Sequence, residues 1–264
     1  MLGPEFAIGR AMTIDQITRF PLKGFYGQDL DRAEVRLTGL VGDRRFGIYH
    51  PSRVKNRSPA GWSPKINFLQ MVFEAFLGVY ETCFDAAGEK VTLRVAGETY
   101  GPYDLTSQGG RTALTTQIRA FGDLEDEGPL EIVEGLEQSL TDRANPCITL
   151  ANPASLADLE ARLGRKLGRT RFRMNAWFEG LPAWAEHDLV GKTLRLGSAE
   201  VTVLEPVDRC RAINLSPGTR AWNPEDINLA MKRLYGHNNL GLLCQPKVAG
   251  TFKIGDSVEV IERP

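Results

Sequence analysis

The stretch "KTLRLGSAEVTVLEP", residues 192–206, sets two short alternating runs on either side of a Gly197–Ser198 turn. Leu194 and Leu196 precede the turn, Val201 and Val203 follow it, and polar residues separate them. Alternation with a period of two places one face of each run in a core and the other in water, so this stretch predicts a β-hairpin. The same alternation recurs in "KVTLRVAG" (90–97), with Val91, Leu93 and Val95 on one face. It appears again near the C-terminus in "GTFKIGDSVEVIE" (250–262), which predicts a second hairpin around Gly255–Asp256.

Helical signals are fewer. In "NPASLADLEARLGRKL" (152–167), Asn152 can cap, Pro153 takes the first helical position, and Leu156, Leu159, Leu163 and Leu167 form an apolar stripe. "NPEDINLAMKRLYG" (223–236) predicts a helix from Asn223–Pro224 to Gly236, and "GRTALTTQIRAFG" (110–122) predicts a third. No repeat of fixed period is visible, which excludes a solenoid or propeller. The fold class expected is mainly β (α+β), a β-barrel with a few peripheral helices. The acidic "GDLEDEGP" (122–129) marks either a domain boundary or a surface loop within one interlocked unit.

A chain of 264 residues with 42% hydrophobic and 25% charged residues can bury its own core. Its formal net charge of −1 argues against general attraction to nucleic acid or an anionic membrane. The basic stretch 162–173 reads as a helix C-terminus carrying Arg165 and Lys166, and no nucleic-acid-binding module accompanies it. No apolar run reaches the roughly 20 residues of a membrane helix. "MLGPEFAIGR" lacks the pattern of a signal peptide and reads, with Ala11, as an expression-tag remnant at 1–11. Cys83, Cys147, Cys210 and Cys244 are widely spaced, which fits reduced thiols in a cytoplasmic protein.

Three stretches carry chemistry-bearing residues. "PVDRCRAIN" (206–214) places Cys210 between Arg209 and Arg211. Such a thiol is either a small buried hydrophobe or a thiolate favoured by its cationic neighbours, able to hold a soft metal or act as a nucleophile. "RTRFRMNAWFEG" (169–180) puts Arg169, Arg171 and Arg173 on one face of an extended segment, suited to pairing carboxylates or clamping a phosphate, with Asn175 at its end. "GLVGDRRFGIYH" (39–50) places Arg44 and Arg45 after a Gly–Asp turn and before a strand. Histidines at metal spacing, a nucleophile elbow, a Walker loop and a dinucleotide fingerprint are all missing from the sequence. A metal on Cys210 would need its other ligands from elsewhere, such as an organic cofactor.

These blocks, in order, resemble the MOSC superfamily, the domain found at the C-terminus of molybdenum cofactor sulfurases. In particular they resemble the branch with an N-terminal β-barrel domain that includes the mitochondrial amidoxime-reducing component and its bacterial relatives. "RFPLKG" (19–24) and "GLVGDRRF" (39–46) look like the opening of that N-terminal domain. "LTDRANPCITLANPASLADLEARLG" (140–164), "RFRMN" (171–175), "DRCRAINLSPGT" (208–219) and "GTFKIGDSVEV" (250–260) look like successive blocks of the MOSC domain.

The resemblance implies a smaller N-terminal MOSC-associated β domain at 12–121 joined to a MOSC β-barrel at 122–264. It implies binding of the molybdenum cofactor (Mo-molybdopterin), with Cys210 as catalytic residue and metal ligand. Lys23, Arg44, Arg173, Asn175 and Arg209 match cofactor contacts, and Thr149 and Ser155 lie in a block whose hydroxyls can approach the cofactor. The activity implied is that of a molybdenum-dependent oxidoreductase reducing N-hydroxylated small molecules. Electrons would come from a separate donor protein of ferredoxin, flavoprotein or cytochrome type, since no four-cysteine ferredoxin block follows. Two alternatives remain: a carrier of molybdenum cofactor or of sulfur on Cys210, and a metal-free barrel for another anionic ligand. The sequence departs from the family at Met174, where relatives often have Pro, at Gly24, where many have a hydroxyl residue, and in the Ser216–Trp222 loop.

Overall fold

A computed structural model describes residues 11–54, 62–124, 128–136 and 138–261. Residues 1–10 of the expected tag remnant and residues 125–127 of the expected boundary lie outside the described residues. The chain runs through β1 (Thr13–Arg19), β2 (Gln28–Leu30), β3 (Arg32–Arg36), β4 (Gly39–Leu40), β5 (Phe46–Tyr49), β6 (Glu81–Phe84), β7 (Lys90–Val95) and β8 (Glu98–Asp104) to α1 (Gln108–Gly122). It continues through β9 (Glu131–Glu134), β10 (Ile148–Ala151), α2 (Pro153–Leu163), β11 (Ala176–Glu179), β12 (Thr193–Leu196) and β13 (Ala199–Asp208). The last elements are α3 (Ile227–Tyr235), β14 (Asn239–Val248), β15 (Gly250–Lys253) and β16 (Val258–Ile261).

The fold is mainly β, as expected, and its largest sheet curls into a half-barrel. That sheet has eight strands in the order β16–β12–β13–β14–β10–β11–β1–β2. The hairpin at 192–206 forms: β12 and β13 are antiparallel, with Leu194 opposite Val201 and Leu196 opposite Ala199. Val201 and Val203 point inward and Leu204 outward, and a register shift between Val203 and Glu205 leaves Glu205 exposed as well, out of the alternation. The bulge flips the alternation and bends the strand before it reaches Cys210.

The second hairpin does not form. β15 pairs with β3, whereas β16 pairs with β12. Ile14 donates to Asp256 O at 2.9 Å and accepts from Gly255 N–H at 2.8 Å, so the turn is pinned to β1 and its two strands diverge into different sheets. The extended arginine row at 169–173 is also corrected. Arg169–Phe172 form one 3-10 turn and Arg173 adopts φ 52°, so the three side chains leave in different directions.

α1 and α2 form as expected. Asn152 accepts from Ala154 N–H and Gly164 closes α2 in a left-handed conformation, leaving Leu167 buried beyond the helix end. α3 begins three residues later than Asn223–Pro224 suggests, because the Asp226 carboxylate caps it by accepting from the Asn228 and Leu229 N–H groups.

Three large cores, and a small one of Tyr49, Phe68 and Leu140, support these layers. Under the large sheet, Ile14, Ile17, Val35 and Leu40 pack with Leu150, Val201, Leu242 and Phe252. A second core joins Leu22, Phe25 and Phe46 to Leu77, Leu93, Leu114 and Leu215. A third places α2 and α3 on Phe172, Trp177 and Leu240. Among the described residues no helix is long and apolar enough to cross a membrane.

Candidate functional site

A cleft of about 470 Å³ opens beside Phe172, Val207 and Ile213 of the third core. Its walls include Lys23, Arg44, Thr149, Arg173, Asn175, Arg209 and Cys210. Seven of the eight residues that the resemblance assigns to the site therefore share one cavity; Ser155 does not.

Backbone geometry explains the convergence. Lys23 sits in the turn after β1, its N–H donating to Phe46 O at 2.8 Å, and Arg44 N–H donates to Phe20 O at 2.5 Å. Arg44 and Arg173 both take left-handed backbone angles, φ 46° and 52°. That region is uncommon for residues with a β-carbon, and strain of this kind tends to gather at functional sites. Arg209 and Cys210 follow the bulged end of β13. Arg209 O accepts from Asn238 Nδ2 at 2.8 Å and from Asn228 Nδ2, while its N–H donates to Asn238 O at 3.1 Å. The peptide that carries Cys210 is thus clamped from α3 and from the segment leading into β14.

The charges are unevenly paired. Lys23 is almost fully buried, and its Nζ donates to Leu140 O at 2.9 Å and to Asp142 Oδ1 at 2.5 Å. Burial lowers the Lys23 ammonium pKa despite Asp142. Burial acts against the Asp142 carboxylate too, yet Lys23, with help from Lys65 and Arg173, prevails and holds it well below the usual carboxylate range. Arg44 pairs with Asp43 and sends a longer bond to Arg173 O at 3.4 Å. Arg209 donates to Phe172 O at 2.5 Å and approaches Met174 Sδ at 3.5 Å.

Arg173 differs from all of these. Among the described residues its guanidinium has no hydrogen bond or carboxylate partner, and its Nε, like that of Arg209, is a buried donor left unsatisfied. Burial pulls both guanidinium groups down to about 10, so both stay charged at neutral pH. Buried donors of this kind are costly unless a ligand completes them.

Cys210 is exposed at this cleft, so the buried-hydrophobe reading does not describe it. The two flanking arginines part company: Arg209 lines the cleft, whereas Arg211 stacks over Trp222 at 4.5 Å. Thr149 and Asn175 fix one another, with Thr149 Oγ1 donating to Asn175 Oδ1 at 3.0 Å and accepting from Asn175 N–H at 3.0 Å. Ser155 sits on the buried face of the first turn of α2, its Oγ 2.7 Å and 2.8 Å from the two Glu186 carboxylate oxygens and accepting from Trp184 N–H at 2.8 Å. Its hydroxyl is committed to this buried network, away from the cleft lining. Arg171 is buried and bonds Ile213 O and Leu215 O, each at 2.8 Å, while Arg169 pairs with Asp15.

Sequence reasoning missed Asp142, Trp62, Lys65 and Cys147, which also line the cleft. Asp142 stood in a quoted block, and an Asp–Arg pair in an Asn/Pro-bearing turn before a strand was the signal available. Gly24 carries φ +92°, and a β-carbon there would lie 2.4 Å from Leu69 O. Backbone packing accounts for this departure from the family pattern.

Among the described residues no three His, Cys, Asp or Glu side chains gather as metal ligands. One exposed thiol in a cleft with two arginines, each carrying an unsatisfied buried Nε donor, fits a metal that brings its own organic, anionic ligand.

No curated protein matches the chain in sequence. Among solved structures, the YUAD protein from Bacillus subtilis is similar at 12% identity and a TM-score of 0.48, covering 95% of this chain and 96% of that one. YiiM from Geobacillus stearothermophilus is similar at 22% identity and a TM-score of 0.35, over 44% of this chain and 54% of that one. YiiM from Escherichia coli gives 15% identity and a TM-score of 0.33, over 44% and 55%. The model of the MOSC domain matches residues 138–259, a span that includes Thr149, Arg173, Asn175, Arg209 and Cys210 and leaves Lys23 and Arg44 outside. Over those residues, the chain carries a MOSC domain.

Proposed function

We propose that the cleft binds the molybdenum cofactor and that the protein is an oxidoreductase reducing N-hydroxylated small molecules with electrons from a separate donor protein. The observation that carries this reading is the pair of unsatisfied buried guanidinium donors, Arg173 and Arg209, in the cleft where Cys210 exposes its thiol. A MOSC domain is associated with molybdenum cofactor-related function, which supports the same reading.

In this reading Lys23, Arg44, Arg173 and Arg209 hold the phosphate of the cofactor, and Cys210 supplies the protein's ligand to the metal. The bound cofactor would supply two-electron oxygen-atom transfer. The Asn228–Asn238 clamp on Arg209 O fixes the direction of the thiol. Thr149 holds the Asn175 amide at the wall, and the Arg173 and Arg209 guanidinium groups remain charged across the neutral range. The exposure of Cys210 also suits a second reading, a carrier that hands cofactor or sulfur to another protein.

The test is molybdenum and pterin content, with turnover of an aryl amidoxime using an artificial electron donor. Wild-type protein from a cofactor-competent host should contain near-stoichiometric molybdenum and turn over. Cys210→Ala should keep pterin, lose most of its metal and lose activity by at least about two orders of magnitude. Cofactor without turnover in the wild type would favour the carrier, and neither metal nor pterin would overturn both readings.

A further inference from the structure

The Lys23–Asp142 pair is lopsided. The Lys23 side chain is 4% exposed, whereas that of Asp142 is 53% exposed, although the two groups touch at 2.5 Å. Lys65 adds a weaker contact to the same carboxylate at 3.8 Å. An ammonium in that position needs a counter-anion, because a charge left buried and alone is strongly destabilising. The carboxylate has no such need: it sits at the cleft mouth and can hydrate by turning outward. It belongs to the irregular segment between β9 and β10, tied nearby by Trp62 Nε1 donating to Thr141 O at 3.2 Å and by Lys23 itself donating to Leu140 O. The two donors that lack partners, on Arg173 and Arg209, line the same cleft.

We infer that Asp142 is a displaceable counter-anion, holding the Lys23 ammonium until a phosphate-class dianion enters the cleft, takes Lys23 for itself and releases Asp142 to water. The inference rests on the reading of this cleft as a seat for an anionic ligand. The exchange never leaves Lys23 uncompensated, so the empty site stays folded. The cost is affinity, because every incoming phosphate competes with a tethered carboxylate at high local concentration. Asp142 thereby raises the threshold for weak anions and favours a ligand that also engages Arg173 and Arg209.

Calorimetric titration of inorganic phosphate into full-length protein free of cofactor, at chloride-matched ionic strength, tests this. Asp142→Asn should bind phosphate at least tenfold more tightly than wild type, and phosphate should raise its Tm by more. Asp142→Ala should shift in the same direction, excluding an amide that merely replaces the carboxylate on Lys23. Arg173→Gln should weaken phosphate in the same titration, locating the ion in this cleft. Equal or weaker binding by both Asp142 variants, with phosphate still bound by wild type, overturns the displacement and leaves the anionic cleft standing. Absence of phosphate binding by wild type and variants alike overturns both.

Discussion

Ser155 and Cys210 show how one side chain's surroundings decide its role. Ser155 is sealed on the inner face of α2 against Glu186, whose carboxyl is pushed up by burial despite its bonds to Ser155 and Asn152. A carboxyl raised by folding keeps its proton in the native chain where the unfolded chain has lost it. Its contribution to stability is therefore full below the unfolded value and lost as pH rises through the folded one. Ser155→Ala removes a stabilising partner of the charged form, so it should cost about 1–3 kcal/mol at neutral pH and make stability fall more steeply with rising pH. Urea unfolding at several pH values reads both, and phosphate affinity should not change. Cys210, Arg209 and Arg173 were legible because a thiol and clustered guanidinium groups are chemically distinctive wherever they occur. Asp142 was not, since an aspartate in a polar turn looks like any other until its partner, distant in sequence, is seen.

At the scale of elements, periodicity was readable wherever one face meets a core. The 192–206 hairpin, β7 and α2 all follow from apolar spacing and a cap. Partner choice was not readable: β15 and β16 have hairpin spacing, yet Ile14 captures their turn and sends them to separate sheets. Alternation also misled at 169–173, where a single 3-10 turn is too short to declare a period. The turn after β1 gives the sharpest test. Gly24→Ser would restore the hydroxyl many relatives carry, but its β-carbon would meet Leu69 O in a backbone conformation that disfavours side chains. It should destabilise by about 2–4 kcal/mol, read as a lower urea midpoint, and should not tighten phosphate binding. Unchanged stability would mean that this turn relaxes easily.

For the whole molecule, the early strands belong to the later sheet. Ile14, Ile17, Val35 and Leu40 fill the core beneath β10–β14. Burying such side chains contributes about 1.5–3 kcal/mol each, about 6–12 kcal/mol for four, which rivals the 5–15 kcal/mol stability of a typical domain. A fragment of residues 122–264 should therefore lack a cooperative thermal transition and show a collapsed amide NMR spectrum. A dispersed spectrum would instead make the MOSC half an independent domain. Composition and patterning gave the fold class, but this exchange of strands has no local signature.

β14 has one more consequence. It lies between β13, which ends beside Cys210, and β10, which carries Thr149. A chain still emerging from the ribosome has every polar cleft side chain made before the strand that draws them together. Ligand capture must then wait until synthesis has passed residue 248, where β14 ends. Retention of the ligand would sort finished chains from unfinished ones.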